Sequence, residues 1–105
     1  MNYFEAVCAF AEFGVNREGA IQIMLNNTVQ VGAYNLSVAT FKAVLQRTID
    51  DEIDASDLEF WATVLLQREE YEVGELEGSL YALSDPEVMG GIDKAKLTRL
   101  IALLD

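Results

Sequence analysis

Apolar residues recur along this chain at intervals of three and four, the spacing that places them on one face of an α-helix. Tyr3, Val7 and Phe10, with Phe4 and Ala11 beside them, form the first stripe, and Gly14 stands where a helix would stop. Asn16 occupies an N-cap position ahead of Ile21, Met24 and Leu25. Gly19 weakens a helix there by ~1 kcal/mol against alanine. The same stretch supports a second reading: Ile21 and Ile23, Asn26-Asn27, then Val29 and Val31 alternate like two strands around a turn. Ser37 caps a third helix with Val38, Phe41, Val44, Leu45 and Ile49 inward.

Ser56 and Glu59 have the spacing of a capping box, in which the serine accepts the Glu59 amide and the glutamate reaches back. They open a helix with Leu58, Trp61, Ala62 and Leu65 on one face. A fifth stripe runs through Val73, Leu76, Leu80 and Leu83. Ser84-Asp85-Pro86-Glu87 reads as a cap with proline at the first helical position, a single turn ended by Gly90-Gly91. Asp93 starts a last helix with Leu97, Leu100, Ile101 and Leu104 inward. The expected fold class is all-α, one domain over residues 1–105 built as a compact bundle of about six short helices. The alternative is α+β, with a small hairpin near 20–34.

Composition supports a folded domain, since 51% of the residues are hydrophobic and mean hydropathy is +0.16. An apolar share this high in a short chain suggests that some apolar surface stays outside and meets a partner or a second copy. The one cysteine, Cys8, has no partner for an internal disulfide, which fits a reducing compartment, and its apolar neighbours suggest a buried thiol. No stretch approaches the length of a membrane span, and Met1 to Glu5 have no basic region ahead of an apolar segment. The expected localisation is cytoplasmic.

Charge changes the picture most. Eighteen acidic and seven basic residues leave a net charge of −11. Residues 1–49 sum to zero, three acids against three bases, whereas 50–87 hold thirteen acids and one base. Direct binding to nucleic acid or to an anionic membrane is not expected, because both need Lys and Arg to meet phosphates. A solubilising surface would mix its signs, so this asymmetry suggests a face for a basic partner.

Candidate chemistry is sparse. Without histidine the chain lacks Ser-His and Cys-His pairs and the commonest general base, and one cysteine builds no zinc or iron–sulfur site. Neither phosphate-loop motif is present. Counted as a calcium loop from Asp50, the sixth position is Ala55 instead of glycine and the twelfth is Trp61 instead of glutamate; counted from Asp85, Gly90 fits but Lys96 ends it. No cofactor, no metal and no enzymatic activity are expected. Ser37 to Arg47 has the look of a helix-turn-helix recognition helix, but the charge of the chain opposes DNA reading.

The carboxylates remain. Part of the run Asp50, Asp51, Glu52, Asp54 is explained by capping, since negative charge is favoured near a helix N-terminus by ~0.3–1 kcal/mol. Glu69, Glu70, Glu72, Glu75 and Glu77 crowd the junction of two helices, with Tyr71 among them as an interface residue and only Arg68 to offset them. These ten residues, Tyr71 included, are the expected partner-binding set. Acids spaced along such a ridge can take the positions of nucleic-acid phosphates.

Asp57-Leu58-Glu59-x-Trp61-Ala62, Arg68-Glu69-Glu70, Leu83-x-x-Pro86-Glu87 and Leu100-x-x-Leu103 resemble a type of small acidic helical bacterial protein. There an acidic-Val/Leu-Glu-x-Trp-Ala helix is followed by Arg-Asp/Glu-Asp/Glu and Leu-Ala-Asn-Pro-Glu; here Ser84-Asp85 stand in place of Ala-Asn. The resemblance covers residues 50–105, implies a helical fold and a bacterial origin, and implies no activity. The function expected is a non-enzymatic inhibitor of the immunity or anti-defence kind, a nucleic-acid mimic on the basic surface of a toxin nuclease or a phage-defence or CRISPR effector. The alternative is a self-associating structural or regulatory adaptor that forms a homodimer.

Overall fold

The computed structural model of the protein describes residues 1–85 and 91–104. Helix α1 (Tyr3–Ala11) starts at a capping box: the Asn2 side chain accepts the Glu5 N–H at 2.8 Å, and the Glu5 carboxylate accepts the Asn2 N–H at 3.3 Å. It buries Ala6, Val7, Phe10 and Ala11 and leaves Phe4 exposed. The helix ends in paired turn bonds, Phe13 N–H to the Phe10 carbonyl at 3.1 Å and Gly14 N–H to the Ala9 carbonyl at 2.8 Å. Phe13, not the glycine, takes the left-handed position, at φ 55°. It is held there because its ring is buried under the Arg17 and Arg47 guanidiniums, 4.4 and 5.7 Å from the ring centre. Gly14 is needed for approach instead, since a Cβ there would lie 3.2 Å from the Ala9 oxygen.

Helix α2 (Arg17–Leu25) forms over the stretch that also read as a hairpin. Burying Ala20 and Met24 against α1 favours the helix, and Val29 and Val31 fall in an exposed loop. Asn16 holds the cap position without a side-chain cap bond, and of the apolar residues Ile21, Met24 and Leu25 the last faces solvent. The loop leads to β1 (Tyr34–Asn35), which pairs in parallel with β2 (Tyr71–Glu72), Tyr34 opposite Tyr71 and Asn35 opposite Glu72.

Helix α3 (Val38–Ile49) begins as expected at Ser37, whose hydroxyl accepts the Thr40 N–H at 3.1 Å. Helix α4 (Ala55–Gln67) begins earlier than the Ser56–Glu59 pair suggested. Asp54 is the N-cap, both Ser56 and Glu59 lie inside the helix, and the expected capping box does not form. The fifth stripe is also broken. Gly74 at φ 53° turns the chain, so β2 is followed by a 3-10 turn (Gly74–Leu76) and only then by α5 (Glu77–Ser84). Ser84 is the last residue of α5 instead of a cap, and the turn expected at Pro86 lies outside the described residues. Helix α6 (Lys94–Leu104) buries Leu97 and half-buries Leu100, Ile101 and Leu104.

The result is the expected all-α bundle: six α-helices among the described residues, with a two-strand pair as the one sheet. Helix α1 packs on α2, α4 on α5, and α3 on α6 around one core. Trp61 sits at its centre, stacked on Phe41 at 6.1 Å, with its indole N–H donating to the Phe10 and Ala11 carbonyls at 3.2 and 3.1 Å. Among the described residues no helix is long and apolar enough to cross a membrane.

Candidate functional site

The residues that follow α4 divide inward and outward. Arg68 leaves the helix in extended conformation (φ −95°, ψ 127°), Glu69 and Glu70 form a turn, and β2 follows with Tyr71 inward and Glu72 outward. Glu70 turns in and is 0% exposed. Arg68 donates to it twice, Nε to Oε1 at 2.6 Å and Nη2 to Oε2 at 3.3 Å, and the Tyr3 hydroxyl donates to Oε2. Arg68 Nη2 also donates to the Met24 carbonyl at 3.3 Å, while Tyr3 accepts the Gln30 N–H at 3.2 Å. One carboxylate thus ties together the start of α1, the end of α2, the loop after it and the exit from α4. Burial pushes the Glu70 carboxyl up, but the hydrogen bonds from Arg68 and Tyr3 and the guanidinium charge outweigh it and hold it below its ordinary value.

Tyr71 is also inside. Its ring packs near Phe10 and Tyr34 and its hydroxyl donates to the Val7 carbonyl at 2.8 Å. Burial first, and then the Glu70 charge, raise its phenol far above the ordinary range. Glu70 and Tyr71 therefore leave the expected partner-binding set: both are consumed in holding the fold.

The other acids of this segment face solvent. Glu69, Glu72, Glu75 and Glu77 are exposed, and none makes an ion pair among the described residues. The backbone of Glu69 and Glu72 is pinned from below, since the Glu69, Glu70 and Glu72 carbonyls accept the N–H groups of Gly32, Tyr34 and Leu36 at 2.9–3.0 Å. Beside Glu72 and Glu75 lies a shallow groove of about 220 Å³, which these two acids line together with the apolar Leu36, Val38, Val73 and Leu76.

The first acidic group stands elsewhere. Asp50, Asp51, Glu52 and Asp54 are exposed ahead of α4, whose 13 residues span about 20 Å before Glu69 is reached. The eight exposed residues of the set therefore form two patches instead of one face. In the first patch the charges are largely engaged within the fold: Asp51 with Lys94 at 2.8 Å, Glu52 with Arg47 at 4.0 Å, Asp50 with the Gln46 amide at 3.2 Å. Asp51 also occupies a left-handed turn position, φ 64°, and Asp54 holds the N-cap position of α4 without a side-chain cap bond. No group of three Cys, Asp or Glu able to hold a metal ion occurs among the described residues.

Sequence reasoning did not find Tyr3 or Arg68 as the partners of Glu70. The available signal was that Arg68 is the only base among thirteen acids, which marks it as a paired cation. Cys8 is half-buried, and burial, with Glu12 nearby, raises its thiol above the ordinary value. Comparison with known proteins finds no family model, no curated protein and no solved structure that matches this chain.

Proposed function

We propose that this chain is a non-enzymatic acidic binding protein whose ridge of Glu69, Glu72, Glu75 and Glu77 occupies the basic surface of a partner, at its nucleic-acid-binding or catalytic face. One observation carries this reading. Four exposed carboxylates, none of them ion-paired among the described residues, stand close in sequence, two of them (Glu69 and Glu72) on backbone held by hydrogen bonds to residues 32–36, an arrangement that costs stability through repulsion. The groove beside Glu72 and Glu75 takes the aliphatic stem of a lysine or arginine whose charge then meets the carboxylates. A partner protein, not nucleic acid itself, is the expected ligand, in a reducing compartment such as the cytoplasm.

The test is affinity capture from native cytosol with salt elution, followed by assay of whatever is recovered. The reading expects a nuclease or nucleic-acid-binding complex that moderate salt releases and that the purified protein inhibits. Replacing Glu69, Glu72 and Glu75 together by lysine should abolish capture, while replacing Asp50 and Glu52 should weaken it less. A complex unaffected by raising salt to about 1 M, where charges are screened beyond about 3 Å, would sink the idea.

Leu25 and Phe60, 61% and 54% exposed, favour the self-associating adaptor as a second reading. Sedimentation of the pure protein separates the two: the adaptor is a stable dimer, indifferent to reversal of Glu69 and Glu72.

A further inference from the structure

Helices α2 and α4 flank a second and more apolar groove. Ile21, Met24 and Leu25 line it from α2, and Phe60, Val64 and Gln67 line it from α4. Each set follows helical spacing, so each side is a stripe along its own helix. Two cavities of about 90 and 260 Å³ meet at Ile21 and Phe60. Phe60 projects from the wall with its ring held edge-on by Phe10 at 6.4 Å, so an aromatic side chain is kept in place while half in water.

Charge decides what fits. Neither cation of the rim is uncommitted: Arg17 reaches Asp57 at 3.8 Å and lies over Phe13, and Arg68 is held by Glu70. Glu18 is exposed and makes no ion pair among the described residues, and Glu69 follows Arg68 at the far end. Both cations at the groove already face carboxylates of this chain, so an incoming cation, which Glu18 can meet, is favoured over an incoming carboxylate. A second copy of this chain would bring −11 against −11.

We propose that this groove docks an amphipathic helix of the basic partner, its apolar stripe between α2 and α4 and its lysines or arginines toward Glu18 and Glu69. The inference rests on the cationic-partner reading above and adds to it the partner's element and a hydrophobic anchor site.

The probe is a pair of synthetic peptides of about 14 residues, roughly 21 Å as a helix, with leucines at positions i, i+4, i+7 and i+11. One carries lysines at the remaining polar positions and the other glutamates. Trp61, the single tryptophan, lines the narrow end of the groove, so its fluorescence reports occupancy in the intact chain. The lysine peptide should shift the Trp61 emission saturably and the glutamate peptide should not. Phe60→Ser and Leu25→Ser should each weaken binding by about tenfold or more. Replacing Glu72 and Glu75 by lysine should change it by less than about threefold, so failure of the groove and failure of the acidic ridge read out separately. If Phe60→Ser alters thermal unfolding, Leu25→Ser, at a more exposed position, decides. Equal binding of both peptides, no binding, or indifference to both serine variants would overturn the proposal. So would a concentration-dependent dimer broken by Leu25→Ser, which assigns the groove to a second copy.

Discussion

Glu70 shows how far one residue departs from its type. Carboxylates are rarely fully buried unless paired, and here the pairing is complete: Arg68 and Tyr3 supply three hydrogen bonds to its two oxygens. Removing the charge while keeping the shape leaves the guanidinium uncompensated, so Glu70→Gln should lower unfolding free energy in urea by about 2–3 kcal/mol at neutral pH. Because the folded carboxyl titrates below its ordinary 4.5, its contribution is fully present above that value and is lost as pH falls through the depressed one. The gap between native chain and variant should therefore close in acid; a gap that persists at pH ~2 would mean that packing, not charge, is responsible. Tyr71 works in the opposite direction. Its raised phenol favours the folded state with stability fully present below the ordinary 10.0 and lost as pH rises above it. Tyr71→Phe should lose about 1 kcal/mol at neutral pH for the missing bond to the Val7 carbonyl. The same variant should weaken less than the native chain in alkaline urea titrations.

At the scale of elements, caps separate what a local pattern can and cannot specify. Ser37 is a true N-cap and Ser56 is not, although both sit in serine-led patterns before apolar runs. Ser37→Ala should cost about 1 kcal/mol and Ser56→Ala less than about 0.5 kcal/mol, read by thermal unfolding. Equal costs would show that α4 begins at Ser56 in solution. The difference arises because Asp54 and the turn before it, set by Asp51 at φ 64° and the Glu52 N–H bond to the Arg47 carbonyl at 2.9 Å, start α4 two residues sooner. The short β1–β2 pair is the element least visible beforehand. Residues 34–35 and 71–72 are too short for a strand signal and lie far apart in sequence, so only the packed helices around them bring them into register.

For the whole molecule the dominant fact is a charge of −11 concentrated after residue 50. Of the two acidic patches, the one before α4 is largely engaged by Lys94, Arg47 and Gln46, and the one after it is not. Self-repulsion of the second patch should make the fold salt-sensitive. Raising salt from about 0.02 M to about 0.5 M should raise the melting temperature by a few degrees, about 2–5 °C, for less than ~1 kcal/mol of relieved repulsion. Replacing Glu72 and Glu75 by glutamine should raise the low-salt melting temperature and flatten that response. An unchanged slope would mean that the ridge is dispersed enough in water to cost nothing.

Most of the architecture was legible in order and type. Helical periodicity repeats locally, so Tyr3 to Ala11, the Ser37-led stripe, the Trp61 helix and the Leu97 helix each announce themselves within a dozen residues, and the absence of histidine together with the acidic excess bounds the chemistry. The interruption at Gly74, the outward turn of Leu25 and the fate of the acids were not legible. Glu69 and Glu70 are identical in type and adjacent in sequence, yet one faces water and the other is sealed in the core. What separates them is a tyrosine hydroxyl brought from 67 positions away and a guanidinium anchored on a carbonyl 44 positions away. A carboxylate's burial is fixed by the partners that tertiary packing delivers, and no local pattern encodes those.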